Sequence, residues 1–177
     1  TGDYSETRKW RSPAERVYVN FIADGMLGKL TRWLRMLGQD VKYSNQFEDD
    51  ELITLAKKEH RILLTRDLEL YQRAIARGVE AFYVEGQTEA ERLSELAKRF
   101  DIPLTIDMAR SRCPKCNTIV QPVPKEKIVG KIEQNTFTFY DKFWECPKCD
   151  SIYWQGAHWS RINATLEEAK KRMFNFS

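Results

Sequence analysis

The sequence predicts an α/β fold: a parallel sheet flanked by helices, followed by a smaller module of different texture. Three observations carry this. Between residues 17 and 100, short runs rich in β-branched and aromatic residues alternate with stretches of helical apolar spacing. The connections between them are short, which favours strands joined by helical crossovers within one sheet. Around residues 101–112 the alternation gives way to cysteine-containing sequence interrupted by Pro122 and Pro124.

Taken in order, Val17 to Ala23 reads as a strand, and Met26, Leu27, Leu30, Trp33, Leu34 and Leu37 recur at helical spacing up to Gly38. Val41 to Tyr43 forms a short second strand before a helix over Asp50 to Glu59. Ile62 to Thr65 is a third strand, Leu68 to Arg77 a helix stopped by Gly78, and Val79 to Val84 a fourth strand. Glu89 to Phe100 is a helix with Leu93, Leu96, Ala97 and Phe100 facing inward. Beyond the boundary, Ile128 to Tyr140 alternates like a β-hairpin, and 164–174 reads as a terminal helix with Leu166, Ala169 and Met173 or Phe174 on one face. The division is then a lead over 1–16 expected to be disordered, an α/β domain over 17–109, a module over 110–160 and a C-terminal helix over 161–177.

A chain of 177 residues with 42% hydrophobic content can bury one sizeable core and a small appendage. Its net charge of +3 is unevenly spread. Lys and Arg against Asp and Glu number 7 to 5 over 1–40, 10 to 14 over 41–109 and 12 to 7 over 110–177. An acidic middle beside a basic tail suits a metal-loaded site next to an anion-binding surface. No apolar run approaches the ~20 residues that cross a bilayer, and the polar start is no signal peptide, so a cytoplasmic protein with no membrane partner is expected. The absence of an initiating Met suggests a trimmed start.

Cys113-Pro-Lys-Cys116 and Cys146-Pro-Lys-Cys149 are the only cysteines, two matched knuckles with 29 residues between them. Two thiolate pairs at this spacing close a tetrahedral Zn²⁺ site, so the module is read as a zinc ribbon with a structural metal. Disulfides would want a secretory signal, and a redox pair usually occurs once, at a helix start. A closed four-thiolate site does no hydrolysis, so any catalysis lies elsewhere. Phe143, Trp144, Tyr153, Trp154, His158 and Trp159 stand among Lys115, Lys127, Lys131, Lys142, Lys148 and Arg161. Such a mixture can stack bases and hold phosphates. Packing of the small ribbon on the main domain is the simpler role for Trp144 and Trp154.

Asp24 follows the first strand, Asp49 and Asp50 the second, and Asp67 the third, which places carboxylates on one edge of a parallel sheet. Clustered oxygen ligands select Mg²⁺ or Mn²⁺. Each Asp also stands where a helix N-cap is wanted, and spacing alone leaves cap and ligand both open. On the adjoining helix, Gly28, Arg32 and Arg35 are placed opposite the leucines with Lys29 at the edge, a face suited to phosphates or simply to solvent.

Together, Phe21-Ile-Ala-Asp24-Gly-Met-Leu-Gly-Lys-Leu-Thr-Arg32-Trp-Leu-Arg35-Met-Leu-Gly38, Asp49-Asp50-Glu-Leu52 and Arg61-Ile-Leu-Leu-Thr-Arg-Asp67 resemble the PIN-like ribonuclease family named for the C-terminal domain of the mut-seven exonuclease. Arg112-Cys-Pro-Lys-Cys-Asn117 and Trp144-Glu-Cys-Pro-Lys-Cys-Asp-Ser-Ile-Tyr-Trp154-Gln-Gly-Ala-His158-Trp159 are similar to the zinc ribbon this family carries. The resemblance spans about Val17 to Trp159 and implies a PIN-like sheet with acidic metal ligands that cleaves RNA. By motif, Asp24, Asp50 and Asp67 are its three acids. Glu69 stands where many relatives have a further acid, keeping the carboxylate on a longer arm. The expected activity is metal-dependent endonucleolytic hydrolysis of single-stranded RNA, with Lys29, Arg32, Arg35, Arg66 and Arg112 meeting the RNA. With His60 and His158 the only histidines and every cysteine assigned, metal-activated water is the expected nucleophile. The alternative is a non-catalytic RNA-binding or ribosome-associated adaptor; a phospho-receiver domain would want a lysine where the ribbon stands.

Overall fold

The computed structural model describes residues 19–175, so the expected lead over 1–16 lies outside the described residues. Four parallel strands, β1 (Phe21–Ala23), β2 (Val41–Tyr43), β3 (Ile62–Thr65) and β4 (Ala81–Tyr83), form one sheet in the order β2-β1-β3-β4. Registers Ala23↔Tyr43, Ala23↔Leu64 and Thr65↔Tyr83 align their carboxyl ends along one edge. In the two central strands every residue is buried, as a sheet covered on both faces requires.

Strand periodicity sorts the core. Phe21, Ala23, Ile62 and Leu64 face α1 (Gly28–Met36), α4 (Glu89–Phe100) and α6 (Trp159–Phe174), which bring Leu30, Leu34, Leu93, Leu96, Leu166 and Ala169. Ile22 and Leu63 face α2 (Asp49–Lys58) and α3 (Leu68–Ala76), which bring Leu52, Ile53, Ala56, Leu70 and Ala74. Phe100 closes one end edge-on to Phe21 and Phe82, with ring centroids 5.2 and 5.5 Å away. The expected α/β class is therefore observed, with helices on both sides of a parallel sheet.

Several boundaries move. Met26 and Leu27 lie in a 3₁₀ turn, Gly25–Leu27, ahead of α1. The terminal helix starts at Trp159, five residues before the expected position, and presents Met173 to the core while Phe174 is exposed. Among the described residues no helix is long and apolar enough to cross a membrane.

The expected β-hairpin over Ile128 to Tyr140 is not formed. Lys125–Ile128 is a 3₁₀ turn after Pro124, Gly130 turns the chain at φ +75°, and Gln134–Phe139 is a helix, α5. Glu133 caps that helix, accepting from Asn135 N at 3.3 Å and Thr136 Oγ1 at 3.2 Å. The alternating aromatics follow a helical packing rule instead: Phe137 and Tyr140, three apart, both pack against the cluster formed by Val123, Ile128 and Phe143, whereas Phe139 is 78% exposed. The ribbon's sheet uses β5 (Gln121–Val123), β6 (Phe143–Glu145) and β7 (Ile152–Tyr153) in antiparallel order β5-β6-β7. The prolines that read as breakers are tolerated because β5 is an edge strand, where Pro122 lies opposite Trp144.

Candidate active site and metal centre

At the carboxyl edge of the sheet, the chain leaves β1 at Asp24 and β3 at Thr65. Asp24 is 7% exposed and both of its oxygens are engaged: Oδ1 accepts from Met26 N at 2.8 Å and Oδ2 from the Thr65 hydroxyl at 2.7 Å. Thr65 Oγ1 in turn accepts from Asp67 N at 2.9 Å. The exposed Asp67 caps α3, its Oδ1 accepting from Leu70 N at 3.1 Å. Asp24 and Asp67 are thus linked through one buried hydroxyl. The capping role open at the level of sequence is real for both, and it occupies only part of a carboxylate's roughly four acceptor sites.

Asp50 is placed differently. It lies in the first turn of α2, whose N-cap is Glu48, and its Oδ1 meets both Arg73 and Arg77 of the α3 segment, the latter at 2.9 Å. The Arg77 hydrogen bond and charge, with Arg73, hold its carboxyl below the ordinary carboxylate range. Asp49 pairs with Arg73 at 3.3 Å. Glu69 is exposed on the first turn of α3. Among the described residues the acids do not form a three-ligand cluster with its atoms within 4.8 Å of one another; only the four cysteines do.

The basic residues divide as well. Lys29 and Arg32 are exposed on α1. Arg35, expected to face phosphates, is 5% exposed and committed inside the protein. Its Nε and Nη2 donate to Val41 O at 3.0 and 2.7 Å, and its Nη1 to Pro114 O at 2.9 Å. Position 35 lies on the buried side of α1, one residue after Leu34, so the structure removes Arg35 from the RNA-facing set. Arg66 reaches back to the carbonyls of Glu85 and Gly86. Arg112 donates from Nη1 to Asn117 O at 2.9 Å and is half-buried.

Two residues of this edge escaped the sequence reading. Thr65 ends an otherwise aliphatic strand two residues before Asp67, and a polar residue at the end of a buried strand was the available signal. Tyr43, at the end of β2, donates to Gly25 O at 2.8 Å and fixes the turn after Asp24. It also explains Gly28: a Cβ there would lie 2.7 Å from the tyrosine oxygen.

In the ribbon, the two knuckles fold alike. Asn117 N bonds Cys113 O and Asp150 N bonds Cys146 O, with Asn117 and Asp150 left-handed at φ +72° and +57°. Asn and Asp tolerate that conformation, which is why one follows each Cys-Pro-Lys-Cys motif. The sulfurs of Cys116 and Cys146 lie 3.3 Å apart, those of Cys113 and Cys149 3.5 Å, and those of Cys116 and Cys149 4.0 Å. Tetrahedral zinc with bonds of about 2.3 Å sets sulfurs about 3.8 Å apart, whereas a disulfide needs about 2.05 Å. The four cysteines therefore fit zinc. Ser151 hydrogen bonds pull the exposed Cys149 down to about 6, while burial pushes Cys146 up to about 12. A zinc held by these four thiolates would carry a net charge near −2, about half of which the neighbouring Arg35 would offset. Burial pulls the Arg35 pKa down, and the charges of Cys113 and Cys116 oppose that shift.

The Mut7-C RNAse domain family model matches residues 19–166, from the entry to β1 to the middle of α6. No curated protein matches the chain. No solved structure matches it either.

Proposed function

Since the chain belongs to the Mut7-C RNAse domain family, we propose that it hydrolyses phosphodiester bonds of single-stranded RNA internally, with Mg²⁺ or Mn²⁺ at the acidic edge of its parallel sheet. The observation that supports this most is the Asp24–Thr65–Asp67 arrangement: two acids from different strands held by one buried hydroxyl where ligands of open α/β sheets bind. The donors are all oxygen, the preference of hard divalent cations. Asp24 and Asp67 would hold the ion, and Asp50 and Glu69 would join them once a cation competes with Arg73 and Arg77 for Asp50. Such an ion lowers the pKa of a bound water and neutralises charge on the phosphate.

The protein's own contribution is positional. Thr65 fixes the carboxylate plane of Asp24, and the Tyr43 bond to Gly25 holds the turn that carries it. Lys29 and Arg32 present positive charge beside the edge and orient the RNA backbone without reading its sequence. The ribbon binds its own zinc and takes no part in the bond cleavage.

Asp67→Asn separates cap from ligand, because Asn caps helices about as well as Asp but ligates a hard cation poorly. Labelled single-stranded and hairpin RNAs are incubated with wild type and variant in Mg²⁺, in Mn²⁺ and with neither. The expected result is metal-dependent internal cuts in single-stranded regions by wild type and at least a hundredfold loss in the variant, with melting temperatures within a few degrees of each other. Undiminished cleavage by Asp67→Asn would remove it from the site. Tight binding without cleavage under every condition would select the adaptor reading, which the ion pairing of Asp50 favours.

A further inference from the structure

A cavity of about 70 Å³ lies where the ribbon, the start of α6 and the carboxyl end of α1 meet. Its lining includes Tyr153, Trp154, His158, Trp159, Met36 and Arg112. Three large aromatics and an imidazole around one space suit a flat, conjugated guest, since aromatic faces hold nucleobases by stacking. Arg112 is anchored by its Nη1 bond to Asn117 O and keeps a buried Nε with no partner. A guanidinium offers only donors, so a guest with acceptors on its edge is favoured over one with donors alone.

The position of the cavity ties it to the acidic edge. Lys29, Arg32 and Met36 follow one another at i, i+3 and i+7, the spacing of a single helix face. Lys29 and Arg32 are exposed, and Met36 lines the cavity. A stripe about 10 Å long on α1 thus runs from cations near Asp24 to the cavity wall. Given the RNA-cleaving role proposed above, we infer that this cavity is a nucleobase subsite. It takes an unstacked base, with an acceptor on its edge turned toward Arg112, of a strand whose backbone follows Lys29 and Arg32 to the cleavage edge.

The sequence protects this arrangement at Gly156. A Cβ there would lie 2.8 Å from Trp154 Nε1 and 3.1 Å from Trp154 Cδ1, so the absence of a side chain lets the indole occupy the wall. On its other side Trp154 packs against Phe143, with ring centroids 6.3 Å apart, which keeps the indole in place.

The test is photo-crosslinking of the full chain, zinc retained, to a short single-stranded RNA carrying a photoreactive thio-substituted guanine or uracil. No Mg²⁺ or Mn²⁺ is added, so the strand stays intact. The expected adduct is in the tryptic peptide 149–161, which contains Tyr153, Trp154, His158 and Trp159. Gly156→Ala should weaken binding about tenfold, the scale of one lost stacking contact, and reduce the adduct in proportion. Adducts confined to other peptides overturn the subsite, and so does a folded Gly156→Ala with unchanged adduct yield. Should that variant fail to fold, the position of the wild-type adduct decides alone. Cleavage with adducts only outside 149–161 sinks the subsite and leaves the nuclease; the 149–161 adduct without cleavage under any metal does the reverse.

Discussion

The α/β domain and the ribbon reach a folded state by different physics. Among the described residues, eighteen buried residues cluster on one face of the parallel sheet and eight on the other, whereas the ribbon has two clusters of three, and two of those six residues are cysteines of the four-sulfur cluster. Apolar burial at roughly 25 cal/mol per Å² can sustain the first region and falls short for the second. The ribbon has instead four cysteines placed to hold a metal, and what it borrows from its neighbour. β2 is the edge strand of the main sheet, and Val41 would present an unpaired N–H and C=O there. Asn117 of the first knuckle accepts from that N–H at 3.1 Å, and Arg35 covers the carbonyl while also holding Pro114 O. The ribbon caps the sheet edge, and the sheet anchors the ribbon.

The largest effect should come from removing the metal's hold. Cys146→Ser, or zinc chelation, is expected to abolish the near-ultraviolet circular dichroism of Trp144 and Trp154 while most far-ultraviolet helical signal survives. Structural zinc contributes on the order of 10 kcal/mol in small modules, more than two three-residue clusters can replace. Unchanged tryptophan signals would break the comparison, because the ribbon would then be held by packing alone.

Arg35→Ala probes the junction. It leaves Val41 O and Pro114 O without their donors and removes the cation next to the thiolates. Urea unfolding should show a loss of about 2–4 kcal/mol, the cost of stranding buried polar groups and charge. Arg35→Lys should recover little of it, since an ammonium lacks the fork that reaches two carbonyls. Arg32→Ala, one turn earlier and exposed, should stay within about 0.5 kcal/mol. Equal losses at positions 32 and 35 would remove Arg35 from the junction.

The same contrast explains what could be read from the sequence. The sheet was legible because buried parallel strands and amphipathic helices have strong periods, and the knuckles because four cysteines have few other uses. Asp24 and Asp67 were placed at one edge correctly, since parallel strands deliver their carboxyl ends together. What escaped depends on contacts distant in sequence. Arg35 shares its helix with Lys29 and Arg32, and only its reach to Pro114, 79 residues on, shows that it is internal. The segment 128–140 alternates apolar and polar residues as a strand would, yet Gly130 and the Glu133 cap make it a turn and a short helix. The capture of Asp50 by Arg73 and Arg77 follows from how α2 lies beside α3, which no local pattern encodes.

The smallest expected effect tests whether the junction responds to acid as its geometry implies. Asp40 Oδ1 accepts from Arg61 at 2.9 Å and from Asn117 Nδ2 at 2.7 Å, linking the main domain to the first knuckle. Burial raises its pKa, but the hydrogen bonds of Arg61 and Asn117 and the charges of Arg61 and Arg112 outweigh that and hold it below the ordinary 3.8. A depressed folded pKa means the stabilisation is fully present above the unfolded value and is lost as pH falls through the folded one. Between pH 6 and 3, the urea midpoint of the wild type should fall more steeply than that of Asp40→Asn, with the difference appearing only below about pH 4. Arg61 also serves Glu59 at 3.2 Å and would retain that partner, so the gap should be smaller than the Arg35→Ala effect. Parallel curves would mean that Asn117 docks on the sheet edge through Val41 N alone.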